Sequence, residues 1–278
     1  MGEQVLHIDC PDEKGLVYKI TEVLYQHGLN IVSNQEFVDA TTDHFVMRTA
    51  FEGTESPNDV VADLEEALPP AANIRQAEIG NRSIVIMATR EAHCLGDLLL
   101  RHSYGEIPAR IDAVISNHDT LGSLTRAFDI PFHHLSHEGL ERRAHEKQLQ
   151  EVVDQYAPDY IVLAKYMRIF TSDFVDRYQD RILNIHHSFL PAFIGANPYR
   201  QAFERGVKII GATAHFVTDD LDEGPIIAQD VLPVNHTHTA EQMANAGRDV
   251  EKTVLAKAVK LLLEERIFIH DNRTIVFE

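Results

Sequence analysis

Hydrophobic and polar residues along the first eighty positions form short runs whose spacing switches between a period of two and one near 3.6. Gln4 to Cys10 reads as a strand, Gly15 to Gln26 as a helix, and Ile31 to Asp39 and His44 to Glu52 as two strands. Val60 to Ala67 then reads as a second helix and Asn73 to Ile79 as a closing strand. The order βαββαβ lets an antiparallel sheet bury one face under two helices, in a small but self-contained unit.

From Ser83 the pattern becomes a regular exchange of strand and helix. Strands are expected at Ser83 to Ala88, Ile111 to Ser116, Phe132 to His134, Tyr160 to Ala164 and Arg181 to Ile185. Helices are expected at Cys94 to His102, Leu121 to Phe128, Ala144 to Tyr156 and Ser172 to Tyr178. Such a series implies a mostly parallel sheet with helices on both faces. Ile209 to Phe216 and Ile226 to Val234 read as further strands. Thr239 and Gln242 form a capping-box signature for a long helix to about Glu265, striped by Met243, Val250, Val254, Ala258 and Leu261. Ile267 to Phe277 reads as a hairpin turning at Asp271-Asn272. The expected fold class is therefore α/β in two domains, residues 1–82 with a short linker and residues 83–278.

Composition narrows the function. Lys and Arg number 25 against 43 Asp and Glu, and the net charge of −18 would repel a phosphate backbone, so no nucleic-acid partner is expected. Cys10 and Cys94 are the two cysteines, far apart and without metal-type spacing, which argues against a disulfide framework and a thiolate zinc site. No apolar run approaches a membrane span, and the opening Met-Gly-Glu-Gln-Val-Leu-His lacks the basic and apolar regions of a signal peptide. A cytoplasmic protein without a membrane partner is expected.

The candidate chemistry centres on Asn184-Ile-His-His-Ser-Phe-Leu-Pro191. Alternation at the end of a strand sends Asn184 and His186 from one face, with Ile185 and His187 pointing away. An amide donor beside an imidazole suits attack on a carbonyl, since the amide stabilises a developing oxyanion while the imidazole moves the proton. Asp222, in Leu221-Asp-Glu-Gly-Pro225, would stabilise protonated His186 if the fold brought it close. In an open parallel sheet ligands bind beyond the carboxyl ends of the strands, where Asn184 and His186 fall, and Lys165 to Phe170 should flank the same crevice. Phe189, Phe193 and Ile194 are candidates to wall it.

The order Asn-x-His-x-Ser-x-Leu-Pro, then His215, then Asp-x-Gly-Pro resembles the folate-dependent formyltransferase and hydrolase superfamily. The resemblance implies Asn184, His186 and Asp222 as catalytic residues and His215 as a supporting histidine. It further implies that Met167, Arg168, Ile169, Phe170, Asp219 and Leu221 contact folate. The first strand-to-helix turn reads Ala88-Thr-Arg-Glu-Ala-His-Cys-Leu-Gly96, where the glycinamide ribonucleotide transferases carry a glycine-rich phosphate cradle. A phosphorylated acceptor is poorly served by this turn, whereas water needs no recognition loop.

The stretches Glu91-Ala-His-Cys-Leu-Gly-Asp-Leu-Leu, Ser116-Asn-His-Asp119 and Leu163-Ala-Lys-Tyr-Met-Arg168 look like the formyltetrahydrofolate deformylase family. That resemblance covers nearly the whole chain. It implies hydrolysis of 10-formyltetrahydrofolate to tetrahydrofolate and formate, which balances one-carbon folate pools and supplies formate for purine synthesis, with no cofactor and no metal. Alternatives are formyl transfer to an amine acceptor, a metal-dependent hydrolase using His186, His187, His215 and Asp222, and a non-catalytic folate or amino-acid sensor.

The first unit resembles the ACT regulatory domain, a ferredoxin-like fold, through Asp9-Cys-Pro-Asp-Glu-Lys-Gly15 and Gly28-Leu-Asn-Ile31. The resemblance implies a small amino-acid effector, glycine or methionine being natural readouts of a one-carbon pool, at a site near Cys10, Asp12 and Asn30. It also implies a homo-oligomer.

Overall fold

A computed structural model of the chain describes residues 3–53, 57–192 and 198–278. It divides into two compact units, one formed by Met1–Gly80 with Glu264–Phe268 and Val276–Glu278, the other by Asn81–Leu263 with Ile269–Ile275.

The first unit runs β1 (Gln4–Pro11), α1 (Leu16–Gln26), β2 (Asn30–Asp39), β3 (His44–Glu52), α2 (Pro57–Ala67) and β4 (Asn73–Glu78), with an antiparallel sheet in the order β2-β3-β1-β4. Leu6, Ile8 and Cys10 from β1 leave one face of the sheet, as strand alternation requires, and pack with Phe45, Met47, Leu16, Ile20, Leu24 and Leu64. The opposite face is also buried, which explains why the interior of β3 is shielded from end to end rather than at every second residue. There Arg48, 2% exposed, donates from Nε to the Glu265 carbonyl at 2.8 Å and from Nη2 to the Glu264 carbonyl at 3.0 Å. His7 donates from Nε2 to the Glu265 carbonyl at 2.7 Å, accepts at Nδ1 from Arg75, and stacks on Phe268 with ring centroids 4.4 Å apart.

The second unit opens with β5 (Arg82–Ala88), α3 (His93–Ser103), β6 (Ala109–Ser116), a 3-10 turn at Asp119–Leu121, α4 (Gly122–Arg126) and β7 (Phe132–His134). It continues with α5 (Arg142–Tyr156), β8 (Tyr160–Ala164), α6 (Ser172–Arg177) and β9 (Ile182–His186). Then follow α7 (Pro198–Arg205), β10 (Ile209–Phe216), β11 (Ile226–Pro233) and α8 (Ala240–Leu263). The sheet order is β11-β10-β9-β8-β5-β6-β7, parallel from β9 to β7, with β10 and β11 added antiparallel. Helices cover both faces, so β5 and β8 are continuous apolar runs; Val85, Met87, Ile161 and Leu163 pack with Leu149, Val153 and Phe174. A terminal hairpin, β12 (Ile267–His270) and β13 (Arg273–Val276), ends the chain.

The chain leaves β5 toward β6 on one side and returns through β8 on the other. This reversal opens a crevice at the carboxyl ends of the central strands, the usual place for a ligand in an open α/β sheet.

Candidate active site

The crevice is a cavity of about 620 Å³, in the range that encloses a drug-sized ligand. Asn184, His186, His187, His215 and Asp222 line it, together with Lys165 to Phe170 after β8, the 217–222 segment, and Tyr199, Arg248 and Glu251.

Strand pairing fixes the amide. β9 and β10 run antiparallel in a register that sets Asn184 opposite His215, and Asn184 Nδ2 lies 3.3 Å from His215 Nε2. His215 Nδ1 is 2.8 Å from the Phe216 carbonyl and must donate its proton there, which leaves Nε2 as the acceptor for the amide. Burial holds the His215 imidazole below its usual pKa, against the Phe216 hydrogen bond and the Asp222 charge, in keeping with that neutral tautomer. The second N–H of Asn184 has no partner among the described residues.

His186 is placed by the same strand end. Its Nδ1 lies 3.2 Å from Asp222 Oδ1, and its Nε2 is buried with no hydrogen-bond partner among the described residues. Asp222 reaches in from a left-handed turn position, φ 60°, which a short polar side chain tolerates. The turn is tight. A Cβ on Gly224 would stand 1.9 Å from the Phe216 carbonyl oxygen, so only glycine lets the loop fold back onto β10. Burial acts to raise the Asp222 carboxyl, but the hydrogen bond from His186 and the imidazoles of His186, His215 and His187 outweigh it, and the group is held below the usual carboxylate range. The structure thus brings Asn184, His186, Asp222 and His215 into one cluster.

The surrounding loops give the cavity an apolar rim. Met167, Ile169 and Leu221 are more than half exposed at its edge, with Arg168 and Asp219 among them. Phe170 lines the cavity too, yet its ring belongs to a stack, 5.5 Å from Tyr166 and 4.2 Å from Phe174.

One sequence expectation fails here. His187 does not point away from His186: β9 ends at His186 and the chain bends, so strand alternation no longer applies, and the two rings stack at 5.0 Å on the cavity wall. Phe189 lines a separate small apolar pocket of about 80 Å³, while Phe193 and Ile194 lie outside the described residues.

Sequence reasoning placed Lys165 only within the segment flanking the crevice, and left Tyr199 and Glu251 without a site role. Glu251 sits on α8, 1% exposed, and accepts from Tyr199 Oη at 2.6 Å and His93 Nε2 at 2.7 Å, with Lys165 Nζ at 3.2 Å. The available signal was an acidic residue on the otherwise apolar face that carries Gly247, Val250 and Val254. His93, Cys94 and Glu251 could offer metal-ligand atoms within 4.8 Å of one another, but burial pushes the Cys94 thiol up, and Glu251 is already held by its hydrogen-bond donors.

In the first unit the expected effector residues fall apart. The Cys10 side chain lies in the core, where burial, and the nearby carboxylates after it, push the thiol up to about 11. Cys10 pairs with Phe45 and Asn30 with Glu52, so the two stand seven positions apart along β3, roughly 23 Å at strand rise. Asp12 lies in the turn before α1, its backbone N–H donated to the Asp43 carbonyl. α1 itself begins after Gly15 with no side-chain cap on its first N–H groups.

Comparison with known proteins supplies the family. Residues 82–259 match the formyl transferase family and residues 5–69 match the ACT domain. A formyltetrahydrofolate deformylase from Escherichia coli K12 is 57% identical over 276 residues, 99% of each chain. The chain belongs to the formyltetrahydrofolate deformylase family. The crystal structure of a formyltetrahydrofolate deformylase from Pseudomonas syringae superposes with a TM-score of 0.95 at 38% identity, covering 100% of this chain and 95% of that one. A glycinamide ribonucleotide transformylase from Symbiobacterium toebii, 34% identical, has a TM-score of 0.68 and covers 72% of this chain and 95% of its own. The deformylase family therefore shares the larger unit with transferases, and its full-length members match the ACT unit as well.

Proposed function

We propose that the chain hydrolyses 10-formyltetrahydrofolate to tetrahydrofolate and formate, with Asn184, His186 and Asp222 as the reacting groups. One observation carries the reading: in a cavity large enough for a folate, an amide with a free N–H, an imidazole with an unpaired Nε2 and an ionised carboxylate converge. Asn184 and protonated His186 polarise the formyl oxygen. A water placed by Asp222 attacks the carbon. The tetrahedral adduct then collapses as a proton is delivered to N10, an arylamine that leaves poorly as an anion, and formate departs.

Met167, Ile169 and Leu221 present an apolar edge suited to a flat pterin, with Arg168, Phe170 and Asp219 beside it. The ACT unit binds a small amino acid such as glycine or methionine at the uncapped turn before α1, near Asp12. Because Asn30 is far from that turn within one chain, its share in the site comes from a second copy in a homo-oligomer. The edge strand β2 supports such pairing, since it exposes Val32, Phe37 and Val38. Two unpaired cysteines fit a cytoplasmic protein, and no helix among the described residues is long and apolar enough to cross a membrane.

The test is incubation of purified protein with 10-formyltetrahydrofolate, with and without an amine acceptor, while formate and tetrahydrofolate are measured. Formate release without acceptor is expected, and H186A should lower it by about a hundredfold or more with the fold intact. Near-normal release by H186A would remove His186 from the reaction.

A further inference from the structure

We propose that Lys165, held in place by Glu251, is the binding group for the one-carbon carboxylate that the reaction releases, formate. This rests on the reading of Asn184, His186 and Asp222 as the reaction centre.

Lys165 directly follows β8 and takes φ 62°, a left-handed conformation that a long side chain adopts at a cost. The conformation accompanies a side chain only 5% exposed, at the wall of the cavity, with Nζ 3.2 Å from Glu251 Oε2.

The carboxylate that holds it is itself built in. Its two oxygens accept from Tyr199 and His93, and Tyr199 reaches it through a notch in α8: a Cβ on Gly247 would meet Tyr199 Oη at 2.1 Å. Burial acts to raise Glu251, and the His93 hydrogen bond, the Lys165 charge and the Tyr199 hydroxyl overcome it, so the carboxyl titrates at about 2. It remains an anion throughout the working range and fixes the direction of the ammonium.

An ammonium has three N–H donors. Glu251 is the one partner of Lys165 among the described residues, which leaves donors to face the cavity. The other cations lining the cavity are placed differently. Arg248 is half exposed and lies 3.4 Å from Glu91, and Arg168 sits among the rim residues. Lys165 acts electrostatically on His187, the neighbour of the reaction centre. His187, whose ring stacks on His186, is pushed down to about 4 by burial and by the charges of Lys165 and His186, with Glu251 and Asp222 acting against them.

The chemistry selects the ligand. Water adds its oxygen to the formyl carbon, the C–N10 bond breaks, N10 takes a proton, and the second product ionises to formate. That new negative charge arises in a cavity already holding ionised Asp222, which repels it. A buried ammonium with spare donors stabilises a small monoanion through charge-assisted hydrogen bonds. Glu251 offsets part of the ammonium's charge, so what the spare donors suit is a small, singly charged acceptor rather than a multiply charged one.

The test is a titration of wild-type enzyme and K165M with sodium formate, with sodium chloride at equal ionic strength as control. Wild-type turnover should be inhibited by formate, and isotopically labelled formate should show line broadening in NMR spectra on adding wild-type enzyme. In K165M the broadening should vanish and the half-inhibiting concentration should rise about tenfold or more, the factor one charge-assisted hydrogen bond supplies. K165R should recover part of both. Should K165M fail to fold, K165Q, which keeps a donor without the charge, gives the same reading. A wild-type enzyme that formate neither inhibits nor contacts, or a variant with unchanged response, overturns the proposal. Line width reports binding without turnover, so failure of this proposal appears there, whereas failure of the underlying reading appears in the H186A rate.

Discussion

Asn184 and His215 stand opposite one another on antiparallel strands, and the amide of the first donates to Nε2 of the second at 3.3 Å. On the proposed mechanism His215 is thereby a positioning residue, orienting the amide so that its remaining N–H would meet the formyl oxygen. H215A should lower kcat by about tenfold to a hundredfold with KM for the folate little changed, because the lost alignment matters most where charge develops. Steady-state kinetics of tetrahydrofolate release measure it, and a variant whose KM alone rises would place His215 in ground-state binding.

Gly224 sets the position of Asp222. Alanine there would collide with the Phe216 carbonyl oxygen, a backbone atom with no freedom to yield, so the loop must move away from β10. A shift on the order of an ångström at a reacting group costs about a hundredfold in rate. G224A should therefore cripple kcat while circular dichroism stays that of the wild type, and wild-type turnover by G224A would show that the loop adjusts without displacing Asp222.

The apolar rim makes a different prediction. Leu221 is 52% exposed at the cavity rim, and covering it with a flat ring removes apolar surface from water. L221S should raise KM for 10-formyltetrahydrofolate several-fold, about 1 kcal/mol of binding, and leave kcat nearly unaltered. A fall in kcat without change in KM would move Leu221 from substrate binding to the chemical step.

His7 gives the first unit a pH dependence. Burial first, then Arg75, pushes its imidazole from 6.5 down to about 4, so the folded chain keeps it neutral while the unfolded chain binds a proton near pH 6.5. Between these values the unfolded state holds more protons, and stability falls as pH falls through the window, by roughly 3 kcal/mol in all. Denaturant unfolding of wild type and H7Q across that range should show a steeper loss for the wild type. Parallel curves would dismiss His7 as the source.

Much of this was legible in the chain. Thr239 and Gln242 do form reciprocal caps, Thr239 N donating to Gln242 Oε1 at 2.8 Å and Gln242 N donating to Thr239 Oγ1 at 3.2 Å, because a capping box is a local device. The hairpin turn at Asp271 is local in the same sense, with φ 53° at that residue. Asn184 and His186 could be paired from strand alternation alone. His187 could not be placed, since nothing in periodicity marks the residue at which a strand stops. Glu251 and Lys165 meet only through the fold, 86 positions apart in sequence, and each alone reads as an ordinary charge. The second buried face of the first sheet escaped for the same reason: residues 264–268 belong to it in space and not in sequence.

The clasp of Arg48 and His7 on the Glu264 and Glu265 carbonyls means that the amino-terminal module is finished only by residues synthesised long after Gly80. A nascent chain cannot complete that module early, and a fragment ended at Gly80 would lay bare a guanidinium and an imidazole made to be enclosed. Removing residues 264–278 should therefore destabilise the amino-terminal unit.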